Sequence, residues 1–387
     1  MSTPRRLRRI LALDDFEAAA RRYLPRPIFA YVSSGAETQW SLDDNRAAFA
    51  EYGFIPRVLK DVSVRSQQTT LFGETYDAPF GIAPMGLGSL SGYRSDIILA
   101  SAAAKANIPM IVSGSSLIRM EECAAENLRA WFQAYLAGDS AHIAAMLERA
   151  ERAGFKVLVL TADTAALANQ ENYIKSGFYS PLRLTPRLLW DGLVRPRWTC
   201  NLFAPTLLRH GLPHFENSQA TRGASVLSRK INAEFDSRGS MTWKHVELIR
   251  ERWKGRFVVK GLLHEEDARL ARECGVDGII LSNHGGRQLD GAVAPLRALE
   301  KVAGLAGDMT VMLDSGVRRG SDVLKALALG AKFVFIGRPF NHAAGIAGEA
   351  GVLHAVTLLK DEIHRDMALL GVTRLNEVGS ECLLRVR

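Results

Sequence analysis

The chain has 387 residues, 47% of them hydrophobic, enough to bury a large core in one or two domains. Its formal charge of +8 sits in two places: residues 1–26 carry seven arginines against three acids, and residues 181–213 carry five arginines (Arg183, Arg187, Arg195, Arg197, Arg209) against Asp191. The remainder is balanced and presents no basic, aromatic-lined groove, so no nucleic-acid partner is expected; no apolar run reaches the roughly 18 residues of a membrane-spanning helix, no secretory leader is seen, and Cys123, Cys200, Cys274 and Cys382 lack any metal-ligand or CxxC spacing, which predicts reduced thiols, no metal and a cytoplasmic setting.

Eight short apolar runs follow one another, all but the first ending in glycine or a polar residue. They are Phe80 to Pro84, Pro109 to Ser113, Ala130 to Tyr135, Val157 to Asp163, Phe257 to Gly261, Gly278 to His284, Thr310 to Gly316 and Phe333 to Arg338. Runs of this kind read as strands buried on both faces. Alanine-rich helical segments separate most of them, among them Ala141 to Ala153, Glu265 to Cys274 and Ser321 to Leu329. The alternation predicts an α/β fold, and eight units predict a (β/α)8 TIM barrel with its site at the C-terminal strand ends. A doubly wound open sheet is the alternative. The expected organisation is one domain over 1–387: an N-terminal helical extension, a barrel over about 78–372, and a long insertion after the fourth strand over about 176–240.

The polar residues at the strand ends are Tyr135, Asp163, Lys260, His284, Asp314 and Arg338. The sixth run leads into Ser282-Asn283-His284-Gly285-Gly286-Arg287-Gln288-Leu289-Asp290. His284 can accept a proton near neutral pH, the glycines allow a tight turn against a ligand, and Arg287 offers a fork of donors to a carboxylate. A base beside an anion clamp suits proton abstraction from a small acid. Asp163 either orients His284 and stabilises its protonated form or caps a helix. Lys260 either forms a Schiff base or holds a charge beside a cofactor. Asp314-Ser315-Gly316-Val317-Arg318 and Gly337-Arg338 follow the seventh and eighth runs, where barrels commonly bind phosphate. Between 181 and 213, arginine is interleaved with leucine and tryptophan, a composition that suits either an anionic membrane surface or an oligomer-facing excursion.

From about Leu13 to the C-terminus the chain resembles the FMN-dependent L-2-hydroxy-acid oxidases and dehydrogenases. The segment Ser282 to Asp290 is similar to that family's signature, Tyr31-Val32-Ser33-Ser34-Gly35-Ala36-Glu37 to its N-terminal tyrosine motif, and Trp131 to Tyr135 and Leu160 to Thr164 to its third- and fourth-strand motifs. Within the family the pattern of Asp191 to Trp198, Arg209 to Pro213 and Asp314-Ser315-Gly316 is most similar to mandelate dehydrogenase, a member associated with membranes through the same insertion.

The resemblance implies FMN as cofactor. Pro84, Met85 and Gly86 would lie near its ring. Ser113, Gln133, Thr161 and Ser282 would bond ring or ribityl atoms, and Lys260 would face the pyrimidine end. Asp314 would hold ribityl hydroxyls, and Ser315, Gly316, Val317, Arg318, Gly337 and Arg338 would enclose the phosphate. Tyr31 and Tyr135 would touch the substrate, Arg287 its carboxylate, and His284, oriented by Asp163, would be the base in oxidation of a 2-hydroxy acid to a 2-keto acid. Electrons would pass on to a quinone or O2. The resemblance further implies a homotetramer, peripheral on the inner face of the plasma membrane.

Two positions depart from the family. Gln170 stands where a second substrate arginine is usual, and exchanging a charged clamp for an amide removes a bond worth roughly 1.5–3 kcal/mol. Ser115 stands where glycolate oxidase carries a tryptophan, which predicts a larger pocket and an aromatic or bulky, mandelate-like substrate. Gln170 opens an alternative, a neutral or conjugated 2-hydroxy amide or ester. Two further alternatives are a lyase using Lys260 as Schiff-base amine and a membrane-bound scaffold with a vestigial site.

Overall fold

The computed structural model describes residues 4–136, 138–183, 185–230 and 237–386. Eight parallel strands stand in a ring: β1 (Phe80–Ile82), β2 (Ile111–Ser113), β3 (Trp131–Ala134), β4 (Val157–Thr161), β5 (Arg256–Leu262), β6 (Gly278–Leu281), β7 (Thr310–Asp314) and β8 (Phe333–Ile336). Each pairs with its neighbour in sequence, and β8 pairs with β1. The seam between β1 and β2 closes through a bridge between Ile82 and Met110, with the Ile82 N–H on the Pro109 carbonyl at 2.9 Å. Gly81 makes that approach possible, since a Cβ there would lie 2.6 Å from the Pro109 oxygen. The ring is the (β/α)8 barrel that the eight apolar runs predict, and the open sheet is set aside.

Alternation along each strand divides two cores. Ile111, Trp131, Val157, Val159, Val258, Ile280, Met312, Phe333 and Phe335 point inward and fill the barrel. Phe132, Leu158, Leu160, Phe257, Val259, Ile279, Leu281, Leu313 and Val334 point outward and meet the helices. A hairpin of Thr69–Leu71 and Glu74–Tyr76 closes the N-terminal end, with Leu71, Phe72 and Tyr76 joining the inner core. The opposite end stays open to carry polar groups.

That open end is roofed from two directions. Helices Leu13–Tyr23, Arg26–Ser33 and Trp40–Ala47 come from the N-terminus, and the Ala36 N–H bonds the Gly286 carbonyl at 2.8 Å. Between β4 and β5 the insertion contributes helices Glu171–Ser176, Pro186–Leu193, Pro196–Trp198 and Ala204–His210, with a π-turn at Thr199–Phe203. A second apolar core of Leu24, Ile28, Leu87, Leu117, Tyr173, Phe178, Trp198, Leu202, Phe215 and Val226 joins both roofs to the barrel rim.

Arg149, on the helix Ser140–Arg152, pins the insertion from below. It is buried, donates Nε and Nη2 to the Glu121 carboxylate at 2.8 and 3.0 Å, and donates Nη1 to the carbonyls of Glu216 and Gln219 at 2.8 Å each. Arg149→Met keeps the stem but strands these acceptors, so a loss of about 2–3 kcal/mol is expected. Urea denaturation checks it; an unchanged midpoint removes Arg149 from this role.

Candidate functional site

The chain leaves β6 through Ser282 and Asn283 and then runs left-handed at His284, Gly285 and Gly286, with φ of +57°, +68° and +72°. A Cβ at Gly285 would meet Arg338 Nη1 at 2.6 Å, and one at Gly286 would meet the Leu42 nitrogen at 2.4 Å, so both positions need glycine. His284 tolerates its backbone because the turn is bonded on both sides: its N–H reaches Ser282 Oγ at 2.9 Å and the Gly285 N–H reaches Ser315 Oγ at 3.0 Å. Below it, Asn283 and Asn45 exchange side-chain amide bonds at 2.8 Å each, locking the turn to an N-terminal helix.

His284 Nδ1 lies 2.9 Å from Asp163 Oδ1. Burial pushes the Asp163 carboxyl up, but the charges of His284 and Lys260 outweigh it and hold the group below its ordinary value. An ionised carboxylate only accepts. Nδ1 therefore donates to Asp163, and whenever the ring is neutral Nε2 is the acceptor. Asp163 serves His284 and is not a helix cap.

Lys260, buried within β5, donates to Ser282 Oγ at 2.7 Å and sits 3.1 Å from Asp314 Oδ2. Burial lowers its pKa, yet Asp314 and Asp163 more than reverse this and raise it. Lys260 is thus a fixed positive charge in the wall. Asp314 also accepts from Ser315 Oγ at 2.9 Å.

Arg287 turns back under the N-terminal roof. Its Nη1 donates to the carbonyls of Tyr31 and Val32, and its guanidinium lies 4.7 Å from the Tyr31 ring centre and 5.3 Å from that of Tyr173. The Tyr31 hydroxyl donates to the Gly86 carbonyl at 3.3 Å. Arg338 donates Nε to the Val32 carbonyl at 3.0 Å and Nη2 to the Ser34 carbonyl at 3.2 Å. Burial and the neighbouring guanidiniums of Arg287 and Arg318 pull its pKa down to about 9. Arg318, also buried, is lowered by burial and by Arg46. Cations gathered out of water in this way attract an anion.

These groups surround one cavity of about 210 Å³. Pro84, Met85, Gly86, Ser115 and Thr161 line one side of the ring of loops, with Tyr31, Tyr135, Lys260, His284, Arg287 and Gln170. Asp314, Ser315, Gly316, Val317, Arg318, Gly337 and Arg338 line the other. Gly316 has φ of +86°, and a Cβ there would strike the Asn45 carbonyl at 2.1 Å. Ser113, Gln133, Ser282 and Asp163 stand behind these lining groups. Gln133 Oε1 accepts from Ser113 Oγ and the Gly114 N–H, both at 3.2 Å, while Gln133 Nε2 and Thr161 Oγ1 are buried with no partner. Orphaned buried polar atoms beside a cavity mark the edge of a ligand. The set can hold a molecule with a phosphate at one end and a hydrogen-bonding heterocycle at the other. A larger cleft, about 790 Å³, lies under the insertion, but its Arg94, Arg119, Arg149 and Arg222 are each matched to Glu121, Glu122 or Glu216.

Sequence reasoning missed Asn45, Tyr173, Arg238, Asn341 and His342. Arg238 and Asn341 line the cavity. His342 had a signal: it lies four residues after Arg338 on the helix Arg338–Leu370, hence on the same face. Arg238 had none, because it comes from an irregular stretch of the insertion.

Residues 20–385 match the family described as FMN-dependent dehydrogenase. Over 381 residues the chain is 38% identical to an L-lactate dehydrogenase of Yersinia pestis (strain Pestoides F), covering 97% of this chain and 98% of that one. It superposes on the monotopic membrane protein (S)-mandelate dehydrogenase with a TM-score of 0.91 at 34% identity, covering 98% of this chain and 100% of that one. A soluble mutant of the membrane-associated (S)-mandelate dehydrogenase from Pseudomonas putida gives 0.81 at 32% identity, with 97% and 99% covered. A mandelate oxidase variant with 2-hydroxy-phenylacetamide gives 0.79 at 31%, with 97% and 98% covered.

His342 generates a pH prediction. It is buried, stacked on Phe29, with Nε2 3.3 Å from Ser33 Oγ and Nδ1 without a partner. Burial, then Arg318 and Arg338, pull its pKa from the ordinary 6.5 to about 3. The unfolded chain therefore binds a proton that the folded, FMN-free protein refuses. Stability is whole above pH 6.5 and falls toward pH 3 by at most about 1.4 kcal/mol per pH unit from this group. Denaturation of the apoprotein at pH 7.5, 5.5 and 4.5 should give a flatter dependence for His342→Gln; equal slopes would refute the assignment.

Proposed function

The chain belongs to the FMN-dependent dehydrogenase family, and from that premise we propose that it oxidises an L-2-hydroxy acid with a bulky, aromatic side chain to the 2-keto acid, using His284 as the base. FMN-dependent oxidation of a 2-hydroxy acid is the activity its relatives share with it. The finer reading is carried by one observation: His284, bonded through Nδ1 to Asp163, shares a cavity with the Arg287 guanidinium.

The residues fit FMN, on the strength of the orphaned Gln133 Nε2 and Thr161 Oγ1 and the clustered guanidiniums. Gln133, Thr161, Ser113 and Ser282 would hold ring and ribityl atoms, with the backbone of Pro84, Met85 and Gly86 beside the ring. Lys260 would offer its charge to the pyrimidine end, Asp314 would hold ribityl hydroxyls, and Ser315, Gly316, Val317, Arg318, Gly337 and Arg338 would enclose the phosphate. When bound, the flavin supplies the two-electron acceptor.

The remaining work falls to protein side chains. Arg287 holds the substrate carboxylate through charge-assisted bonds. Tyr31 and Tyr135 offer hydroxyls whose pKa values burial raises, so both stay protonated and can donate. His284 Nε2 takes a proton from the substrate, and Asp163 stabilises the imidazolium that forms. Ser115 leaves room for a ring. Lys260, charged and committed to Ser282 and Asp314, is a poor nucleophile, which weighs against the lyase. A second reading, a neutral amide substrate, draws support from Gln170 in the lining and from the amide in the mandelate oxidase variant.

The insertion supports membrane contact. Leu189, Trp190 and Leu193 on one short helix are 61%, 65% and 70% exposed, and Leu208 is 85% exposed, among Arg183, Arg187, Arg195, Arg197 and Arg209. No helix among the described residues is long and apolar enough to cross a membrane. The chain also superposes better on the monotopic membrane protein than on the soluble mutant. We infer peripheral binding to an anionic leaflet, a quinone as acceptor rather than O2, and a homotetramer as in the family.

Anaerobic bleaching of the flavin absorbance should be faster with mandelate than with glycolate, and Asp163→Asn should slow it by roughly 10²–10⁴-fold with the flavin retained. Faster bleaching by glycolate, or a fully active Asp163→Asn, sinks the reading. Separately, Trp190→Glu with Leu193→Glu should cut co-sedimentation with anionic vesicles about tenfold while turnover with a soluble dye is kept; unchanged sedimentation argues against the membrane face.

A further inference from the structure

We propose that Arg238 is a substrate-selecting residue, supplying from the end of the insertion the second cation that Gln170 lacks, so that the substrate is bound as a carboxylate by two guanidiniums, Arg287 and Arg238. The proposal rests on the hydroxy-acid reading above and decides between its charged and neutral forms.

Arg238 sits on a turn, Ser237–Ser240, that is held in place rather than trailing in solvent. Ser240 Oγ accepts from the Gly138 N–H at 3.1 Å and donates to the Ser237 carbonyl at 2.9 Å. The Met241 N–H returns to the Arg238 carbonyl at 3.2 Å, and His245 of the next helix, Trp243–Arg252, reaches the Gly138 carbonyl through Nε2 at 3.2 Å. A Cβ at Gly239 would lie 3.0 Å from the Ala165 carbonyl. The turn is thus wedged between the loop after β3 and the loop after β4. A side chain presented from so fixed a base can select a ligand without first being ordered.

The guanidinium lies 4.0 Å from the centre of the Tyr135 ring and lines the same cavity as His284, Arg287 and Gln170. Tyr135 feels both arginines: burial raises its pKa, and Arg238 is the foremost charge opposing that, with Arg287 also acting. Among the described residues, Arg238, Lys260, Arg287, Arg318 and Arg338 bring positive charge to the cavity wall. Lys260 is matched to Asp314, and Arg318 and Arg338 lie at the phosphate end. Arg238, Lys260 and Arg287 all act on Tyr135, and Arg238 and Arg287 share the cavity wall with His284 and Gln170. A carboxylate there gains charge-assisted bonds from both; a neutral amide forfeits them. Gln170 then marks a relocated cation, not a lost one.

The test uses the FMN-loaded protein and an unreactive carboxylate, phenylacetate, read by perturbation of the flavin spectrum, beside 2-hydroxy-phenylacetamide. Arg238→Gln should weaken phenylacetate about 10- to 100-fold, the worth of one charge-assisted bond, with amide affinity, flavin content and melting temperature unchanged. Adding Gln170→Arg to that variant should restore the carboxylate. An unchanged phenylacetate affinity overturns the proposal, and so does equal weakening of carboxylate and amide. Should no 2-hydroxy acid bleach the wild-type flavin, the functional reading fails on its own, because the Arg238 result is read from binding alone.

Discussion

The last carbonyls of the helix Arg26–Ser33 carry the negative end of its dipole, and two guanidiniums from distant strands are held on them. Arg287, after β6, takes Tyr31 and Val32; Arg338, after β8, takes Val32 and Ser34. His342 completes the grip at Ser33. Without these acceptors two buried cations would face each other with little to offset their desolvation. One helix end therefore fixes the proposed substrate arginine, the proposed phosphate arginine and Tyr31 in a single unit. The two ends of the cavity are coupled through backbone rather than through a chain of side chains.

Across the cavity the charges alternate. Asp163 stands with His284 and Lys260, and Lys260 in turn with Asp314. Asp314 and Asp163 keep Lys260 charged, and His284 and Lys260 keep Asp163 ionised, against the cost of burial. The barrel makes this affordable, because eight strand ends converge on one small space while their inward apolar residues exclude water beneath it. An imidazole can then be oriented by a carboxylate more than a hundred residues away in sequence.

Much of this was legible from residue order. Eight apolar runs name eight strands, and the observed strands differ from them chiefly in stopping short of Tyr135, Asp163, His284 and Gly316, which fall in the loops where a barrel places its chemistry, and of Arg338, which opens the following helix. Ser282 to Asp290 announces the tight turn that brings His284 and Arg287 to one cavity. Short apolar runs encode strands because burial on both faces leaves no polar positions, and glycine pairs encode the left-handed turn because no other residue fits against Arg338 and Leu42.

What the sequence by itself determined is the barrel, the family and the identity of groups whose chemistry is local to a strand end. Only tertiary structure decided whether Asp163 capped a helix or oriented His284, whether Lys260 was an amine or a fixed charge, and which residue faced Tyr135 from the insertion. The reason is physical. Strand and turn preferences act over a few neighbouring residues, whereas protonation states and ligand contacts depend on charges brought together by closure of the ring, and Arg238 meets Tyr135 only because a serine and a glycine pin its turn to the barrel rim.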